Sequence, residues 1–215
     1  SYKPLTAPAT AARIMKSIGA EEVIYGGQSM NPPVEDFVRC IENGSAEQYI
    51  ILPNNKNIVL AVQQVKKLLG TKQIDFIPTN NLAQGLAALM AFDKEKSMVE
   101  NVMAMREQAK AARSAACSIA VRDSIVNGIK VKKGQYIGLV EEKIVYAGDQ
   151  LLDVAAKTLA LAAEGAELVS IYYGKDMPVE QAEELVGELK KINGDWEMEL
   201  FDGGQPLYPL LMVIE

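Results

Sequence analysis

The first half of the chain repeats a unit made of an apolar run, a polar loop and apolar residues at helical spacing. The apolar runs cover residues 23–25, 49–52 and 74–77, and helices are predicted over 10–18, 34–43, 58–69 and 82–92. Consecutive units of this kind predict a parallel, doubly wound sheet. The loops that follow its strands would lie side by side at one edge, where ligands and partners usually bind.

The pattern changes after residue 92. A charged break at 93–96 precedes a longer helix, and the spacing of Ser97 and Glu100 predicts a capping box at its start. Short strands follow over 116–121, 129–131, 132–140 and 144–147, and then strands over 168–172, 196–201 and 207–214 alternate with helices over 149–163 and 178–192. We therefore predict an α/β fold of two lobes: residues 1–95 with the parallel sheet and residues 96–215 with a mixed sheet and helices.

Two loops of the first lobe carry the candidate binding residues. The first has adjacent glycines followed by amide and hydroxyl side chains, and the second is rich in asparagine. Read alone, each is typical of an ordinary turn that caps a helix, and the glycine loop lacks the GxGxxG and GxxxxGK[ST] spacings of phosphate loops. Equivalent positions in successive units make them neighbours. With two residues of the third unit, the candidates are Gly26, Gly27, Gln28, Ser29, Met30, Asn31, Asn54, Asn55, Lys56, Asn57, Thr79 and Gln84.

The amino-acid composition excludes several kinds of catalytic and metal site and disfavours one class of partner. The chain has no histidine, which excludes Ser–His and Cys–His nucleophile pairs and histidine-ligated zinc. A net charge of −6 disfavours nucleic acid as a partner. Cys40 and Cys117 form no CxxC pair and are predicted to be buried thiols. We find neither a signal-peptide pattern nor an apolar run of roughly 20 residues, so we expect a cytoplasmic protein without a membrane span.

Two further features have alternative interpretations. Asp149 and Asp153 lie one helical turn apart and could hold a cation, but Lys157 lies one turn further, which favours a surface ion pair. The methionines of the helix that begins near Ser97 are predicted to fill gaps in the core, the alternative being an exposed, adaptable binding face.

The two loops also carry a family resemblance. Gly-Gly-Gln-Ser-Met-Asn-Pro at 26–32 and Ile-Leu-Pro-Asn-Asn-Lys-Asn-Ile at 51–58, with Ile-Pro-Thr at 77–79 and Gln-Gly-Leu-Ala-Ala-Leu at 84–89, closely resemble the C-terminal domain of the bacterial fatty acid kinase catalytic subunit. That subunit is dihydroxyacetone kinase-like and serves lipid metabolism and phospholipid synthesis. The resemblance implies a DegV-like fold, similar to that of fatty acid-binding carrier proteins.

In that family, an ATP-binding kinase domain phosphorylates a fatty acid held by a DegV-type carrier, which gives an acyl phosphate. This sequence has no resemblance to the kinase domain, so ATP and magnesium are expected only there, and this segment is expected to be non-catalytic. The implied partners are the carrier and the kinase domain of the same chain, and a homodimer is a further expectation. The resemblance implies that the domain docks the carrier, the alternative being a sensor of a fatty acid or anionic metabolite between the lobes.

The sequence departs from the family in two places. The carriers have serine and threonine in the corresponding loops, where this chain has mostly amides and Lys56, which weakens a carboxylate site but leaves one charge for an anion. The segment 2–10, with Pro4 and Pro8, does not resemble the usual apolar first strand, so we predict either an incomplete element or an unusual sheet edge there.

Overall fold

The computed structural model describes residues 2–6, 12–24, 32–70, 72–205 and 208–214, with side chains from Ile14 onward. The chain divides into two compact units, residues 1–112 and 113–215. The boundary between the units lies at residue 112 rather than near residue 95, where the sequence predicted it. The reason is that helix α5 (Met98–Ala111) packs on the preceding helix α4 (Leu82–Met90) and so belongs to the first unit.

The first unit is built on a four-stranded sheet in the order β2-β1-β3-β4. Its strands are β1 (Tyr2–Thr6), β2 (Glu22–Val23), β3 (Gln48–Leu52) and β4 (Gln73–Phe76), and every pairing is parallel. The last four residues of β3 are buried, as expected for a strand with neighbours on both sides and cover on both faces. The predicted parallel sheet is confirmed.

The N-terminal segment differs from its prediction. β1 lies inside the sheet between β2 and β3, in register from Tyr2 opposite Gln48 to Thr6 opposite Leu52. Five successive pairings hold this strand in place although Pro4, opposite Ile50, lacks a backbone N–H. The unusual sheet edge is therefore wrong, and the incomplete element stays a prediction. Residues 7–11 lie outside the described part of the chain.

The described part of the first unit contains five helices. They are α1 (Ala12–Ser17), α2 (Val34–Asn43), α3 (Lys56–Leu68), α4 and α5. One core cluster joins α2, α3, β3 and β4 through Phe37, Ile41, Tyr49, Val62 and Ile74. The predicted role of the methionines as core residues holds for Met105, which is fully buried in α5, but not for Met103, which is 67% exposed. The capping box of Ser97 and Glu100 is present.

The second unit has a mixed six-stranded sheet in the order β11-β10-β12-β5-β8-β9. Its strands are β5 (Arg113–Ile119), β8 (Tyr136–Val140), β9 (Lys143–Gly148), β10 (Leu168–Tyr173), β11 (Glu197–Asp202) and β12 (Leu210–Ile214). β10 and β11 are parallel and the other pairings are antiparallel. The predicted mixed sheet is confirmed.

Two helices, α6 (Leu151–Ala162) and α7 (Val179–Ile192), supply the apolar side of the second core. Val154, Leu159 and Leu189 are buried there against Ile171 and Met212 of the sheet. Cys117 lies in the same core, and burial raises the pKa of its thiol to about 12. The buried thiol predicted at this position is confirmed, whereas Cys40 is only partly buried.

A separate two-stranded hairpin precedes β8. It consists of β6 (Ser124–Val126), which the sequence pattern did not predict, and β7 (Ile129–Val131). Asn127 and Gly128 connect the strands with φ values of 50° and 80°. Positive φ at both residues is what a tight two-residue hairpin turn requires, and Asn-Gly adopts it readily.

Candidate functional site

Half of the sequence-predicted site cannot be placed. Gly26, Gly27, Gln28, Ser29, Met30 and Asn31 lie outside the described residues, so the structure gives no geometry for the glycine loop. The other six candidates lie on the loops after β3 and β4 and on the first turns of α3 and α4. These two loops meet, as the repeated pattern predicted.

The contact between the loops is a buried hydrogen bond. The backbone N–H of Asn54 donates to the hydroxyl oxygen of Thr79 over 2.9 Å. Thr79 is fully buried and Asn54 is 6% exposed. Asn54 also has a φ of 55°, in the left-handed region that asparagine tolerates better than most residues. The two loops are thus joined by groups that water does not reach.

The side chain of Asn54 lies directly on the first part of α4. A Cβ atom added to Gly85 would come within 2.7 Å of the Asn54 Nδ2 and closer still to its Oδ1 and Cγ. Glycine at this position therefore lets the amide approach the helix backbone. We refer to Asn54, Thr79 and Gly85 together as the loop junction.

Polar residues beside the loop junction cap the helices. Asn55 Oδ1 accepts from the backbone N–H of Asn57 over 2.9 Å at the start of α3. At the start of α4, Asn81 Oδ1 accepts from the N–H of Gln84, and Gln84 Oε1 in turn accepts from the N–H of Asn80 over 2.8 Å. These are local stabilising bonds of the kind expected at helix N-termini.

Lys56 and Asn57 differ from their neighbours because both are exposed. Lys56 is the first residue of α3 and brings the single positive charge among the candidate residues. The six described candidates therefore fall into two groups: Asn54, Asn55, Thr79 and Gln84 take part in hydrogen bonds and are not fully exposed, whereas Lys56 and Asn57 have exposed side chains. Their role in binding a ligand or partner stays a prediction.

Sequence reasoning missed Gly85, which completes the loop junction. Its signal was a glycine inside an otherwise apolar helix, a position where glycine usually has a packing reason. Two charged contacts were also missed. Asp75 Oδ1 lies 3.3 Å from both Lys66 Nζ and Arg106 Nη2, which links β4 to α3 and α5.

Sequence reasoning also missed the role of Lys72 in the first unit. Its Nζ donates to the carbonyl oxygens of Ile41 and Gly44 over 2.6 and 3.0 Å, at the carboxyl end of α2. The ammonium group also lies 5.2 Å from the centre of the Tyr49 ring. A lysine 28 residues away in sequence thereby supplies the positive charge that favours a helix C-terminus.

In the second unit, Tyr146, Asp153 and Lys157 form a surface cluster. Lys157 Nζ lies 3.0 Å from Asp153 Oδ1 and donates to the Tyr146 hydroxyl over 2.6 Å, while that hydroxyl donates to Asp153 Oδ2 over 3.0 Å. The hydrogen bonds from Lys157 and Tyr146 lower the pKa of Asp153. The bonds to Tyr146 and Asp153 raise the pKa of Lys157. The predicted surface pairing of Asp153 and Lys157 is confirmed.

Asp149, the other candidate cation ligand, bonds to a different residue. Its Oδ1 accepts from Gln135 Nε2 over 2.9 Å. Across the described ranges, no group of three or more histidine, cysteine, aspartate or glutamate side chains has the geometry of a metal site. A search of the same residues likewise finds no helix with the length and apolar character of a membrane span.

Solved structures with a similar fold include DegV proteins. A DegV lipid-binding protein of Thermotoga maritima has a TM-score of 0.66 at 10% identity, over 100% of this chain and 98% of that chain. For DegV of Bacillus subtilis, a fatty acid-binding protein, the values are 0.60 and 13% over 99% and 98%. The Streptococcus pneumoniae fatty acid kinase B3 protein loaded with linoleic acid gives 0.58 and 12% over 86% and 76%. The DegV-like α/β fold is therefore confirmed.

Relatives found by sequence have a higher identity to this chain than these solved structures do. An uncharacterized protein of Staphylococcus aureus (strain bovine RF122 / ET3-1) is 35% identical over 205 residues, which is 95% of this chain but 37% of that protein. A second, from strain MRSA252, is 34% identical over the same lengths. The chain thus spans little more than a third of the relatives it matches. A family model for the C-terminal region of FakA-like fatty acid kinase proteins matches residues 4–215, and the chain belongs to that family.

Proposed function

We propose that this chain is a non-catalytic domain of a fatty acid kinase that docks the fatty acid-binding carrier protein. The carrier would present its bound fatty acid to a kinase domain of the full-length protein, which would phosphorylate the carboxylate to an acyl phosphate. ATP and magnesium would bind that kinase domain, and the reaction would take place in the cytoplasm. Membership of the FakA-like C-terminal family supports the first part of this proposal.

The loop junction is the observation that carries the docking role. The fold is that of proteins that bind fatty acids. The family resemblance implies that the loop after β3, residues 54–57, takes the place of the carboxylate-binding segment of the carriers. In this chain the Thr79 hydroxyl accepts a backbone N–H and is fully buried, and the Asn54 amide is packed on Gly85. A carboxylate would have to accept from the Thr79 O–H, and this fully buried hydroxyl is not accessible to a ligand at the surface of the loops.

Contact with a protein places different demands on the chain. It needs an exposed surface and a stable frame, and the loop junction contributes to the frame by tying β3, β4 and α4 together. This domain has the fold of the carriers, but the polar groups of its loop junction are buried in contacts with each other. Such a domain is better suited to binding another protein than to binding a lipid. This is the physical basis for choosing docking over sensing.

Isothermal titration calorimetry of this chain with the DegV-type carrier tests the proposal. We expect saturable binding to the carrier and no heat with the fatty acid alone. In a reaction of the full-length kinase, excess of this chain should compete for the carrier and slow acyl phosphate formation, and more carrier should restore the rate. Absence of binding and of competition would rule out docking.

Native mass spectrometry of the purified chain separates docking from sensing. The docking proposal expects the mass of the polypeptide alone. An acyl chain that co-purifies with the protein would support the sensor instead. The exchange Lys56→Gln provides a second readout, because it removes the one positive charge among the candidate residues. If the domain is a sensor, the variant should bind an anion more weakly. If the carrier docks on this loop, the variant should bind the carrier more weakly.

A further inference from the structure

The β6–β7 hairpin and the residues just before it expose large aliphatic side chains. Val121 is 82% exposed, Ile125 is 72% exposed and Ile119 is 47% exposed. Single exposed aliphatic residues are ordinary on protein surfaces, but three within seven residues are a local concentration of apolar area. This part of the second unit is therefore a candidate contact surface.

The same segment is basic, although the chain is acidic. Arg122, Lys130, Lys132 and Lys133 are all exposed, and within the described part of the chain their side chains take part in no hydrogen bond or ion pair. Asp123 is the single acidic residue between 119 and 134, so this segment has a formal charge of +3 in a chain of −6. We call residues 119–134 the basic hairpin.

The fold holds these residues on a rigid support. Ile125 pairs with Lys130 across the two strands, so the two side chains project from the same face of the hairpin. Val131 is 3% exposed and anchors the hairpin from its other face.

The base of the hairpin is closed by three hydrogen bonds. Asp123 Oδ1 accepts from the backbone N–H of Lys133 over 2.7 Å, and the backbone of Ala120 bonds to Gly134 and Gln135 over 2.8 and 2.9 Å. These bonds bring the segment around Val121 beside Lys133. Aliphatic and cationic side chains are thus presented together, with little conformational entropy to lose when the hairpin binds a surface.

We propose that the basic hairpin binds the surface of an anionic phospholipid membrane. Val121 and Ile125 would enter the interfacial layer, and the lysine and arginine side chains would lie at the lipid phosphates. The proposal does not depend on carrier docking, because it concerns lipid rather than protein and a surface distinct from the loop junction.

The residue types favour lipid over an acidic protein. Protein interfaces are enriched in aromatic residues, methionine and arginine and depleted in lysine. The basic hairpin has three lysines, one arginine and neither aromatic residues nor methionine. Lysine is a strongly hydrated point charge on a flexible stem that pairs with an anion without a fixed geometry, whereas the planar arginine fork makes oriented bidentate bonds.

Co-sedimentation of the chain with vesicles tests this proposal in the absence of the carrier. We expect binding to phosphatidylcholine vesicles that contain phosphatidylglycerol, little binding to phosphatidylcholine alone, and weaker binding at raised salt. The triple variant Lys130→Gln, Lys132→Gln, Lys133→Gln should lower the partition coefficient by about a hundredfold, since each cation contributes a factor of about five. The variant Val121→Ser, Ile125→Ser should also bind less, with an unchanged salt dependence.

A matched control variant has the same change in net charge, but at lysines outside the hairpin. Lys67, Lys94 and Lys110 are exposed lysines of the first unit, and their triple exchange to glutamine should leave vesicle binding within a few-fold of the wild type. The proposal is overturned if the wild type does not bind anionic vesicles, or if the control loses as much binding as the hairpin variant. If the hairpin variants lose the carrier while the wild type ignores vesicles, the surface binds protein and the lipid proposal is wrong.

Discussion

The backbone N–H of Asn54 and the hydroxyl oxygen of Thr79 lie 2.9 Å apart in a hydrogen bond that joins the loops after two neighbouring strands. The two residues are 25 positions apart in sequence and both are buried. The bond fixes the carboxyl edge of the parallel sheet on the side of β3 and β4. Its contribution to stability can be measured separately from any role in binding.

We expect Thr79→Val to destabilise the chain by about 1–3 kcal/mol, because a shape-conserving methyl group leaves the buried N–H of Asn54 without an acceptor. Thr79→Ser keeps the hydroxyl oxygen and should cost less. Urea unfolding of the three proteins measures the difference. Equal stability of the valine and serine variants would show that the hydroxyl contributes nothing.

Gly85→Ala should also destabilise the chain, by about 1–3 kcal/mol, because the added methyl group overlaps the Asn54 amide. Gly187 in α7 is the matched control, since a Cβ atom there meets nothing within 4 Å. Gly187→Ala should stabilise the chain by up to about 1 kcal/mol through helix propensity. Urea unfolding measures both.

A double variant tests whether Asn54 is the cause. Asn54→Gly removes the amide and still permits the positive φ at this position. In that background Gly85→Ala should lose most of its cost, which a double-mutant cycle quantifies. An unchanged cost would assign the overlap to another group.

The ionisation of Asp153 should depend more on Lys157 than on Tyr146, because the hydrogen bond from Lys157 is the larger cause of its lowered pKa. We expect Lys157→Met to raise the pKa of Asp153 towards the ordinary value of 3.8, and Tyr146→Phe to raise it less. NMR titration of the side-chain carboxyl carbon measures both shifts. A larger effect of Tyr146→Phe would reverse the assignment.

The sign of the pH dependence follows from these shifts. The folded-state pKa of Asp153 is depressed, so the stabilisation is present above pH 3.8 and is lost as the pH falls through the lower, folded value. The folded-state pKa of Lys157 is raised, so its contribution is present below pH 10.5 and is lost as the pH rises through the higher, folded value. Lys157→Met should therefore change the pH dependence of unfolding only at these two extremes.

The two cysteines should differ in reactivity. Burial raises the pKa of Cys117 to about 12, so at pH 8 only about one molecule in ten thousand holds the reactive thiolate. Cys40 is partly exposed. Iodoacetamide should label Cys40 first in the folded chain and both residues in urea, as mass spectrometry of tryptic peptides would show. Rapid labelling of Cys117 without denaturant would contradict its burial.

The sequence by itself determined the succession of elements and their immediate caps. Spacing of apolar residues gave the positions of α2, α3 and β3, and the Ser97–Glu100 capping box is a contact over three residues. The sequence also predicted that a parallel sheet in the first half is followed by a mixed sheet in the second half. The reason is that strand–loop–helix repeats and successive short strands have different patterns of apolar residues. All of these depend on residues close together in the chain.

Tertiary structure decided which distant groups meet. The inner position of β1, the loop junction, and the capping of α2 by Lys72 depend on strand order and on contacts over 25 to 46 residues. Ile125 and Lys130 share the outward face of the hairpin because of the register in which β6 pairs with β7. A shift of that register by one residue would turn Ile125 inward. The spacing of apolar residues did not predict β6. Periodicity constrains neighbours along the chain, whereas sheet order and register fix which candidates are buried and which remain exposed for contact.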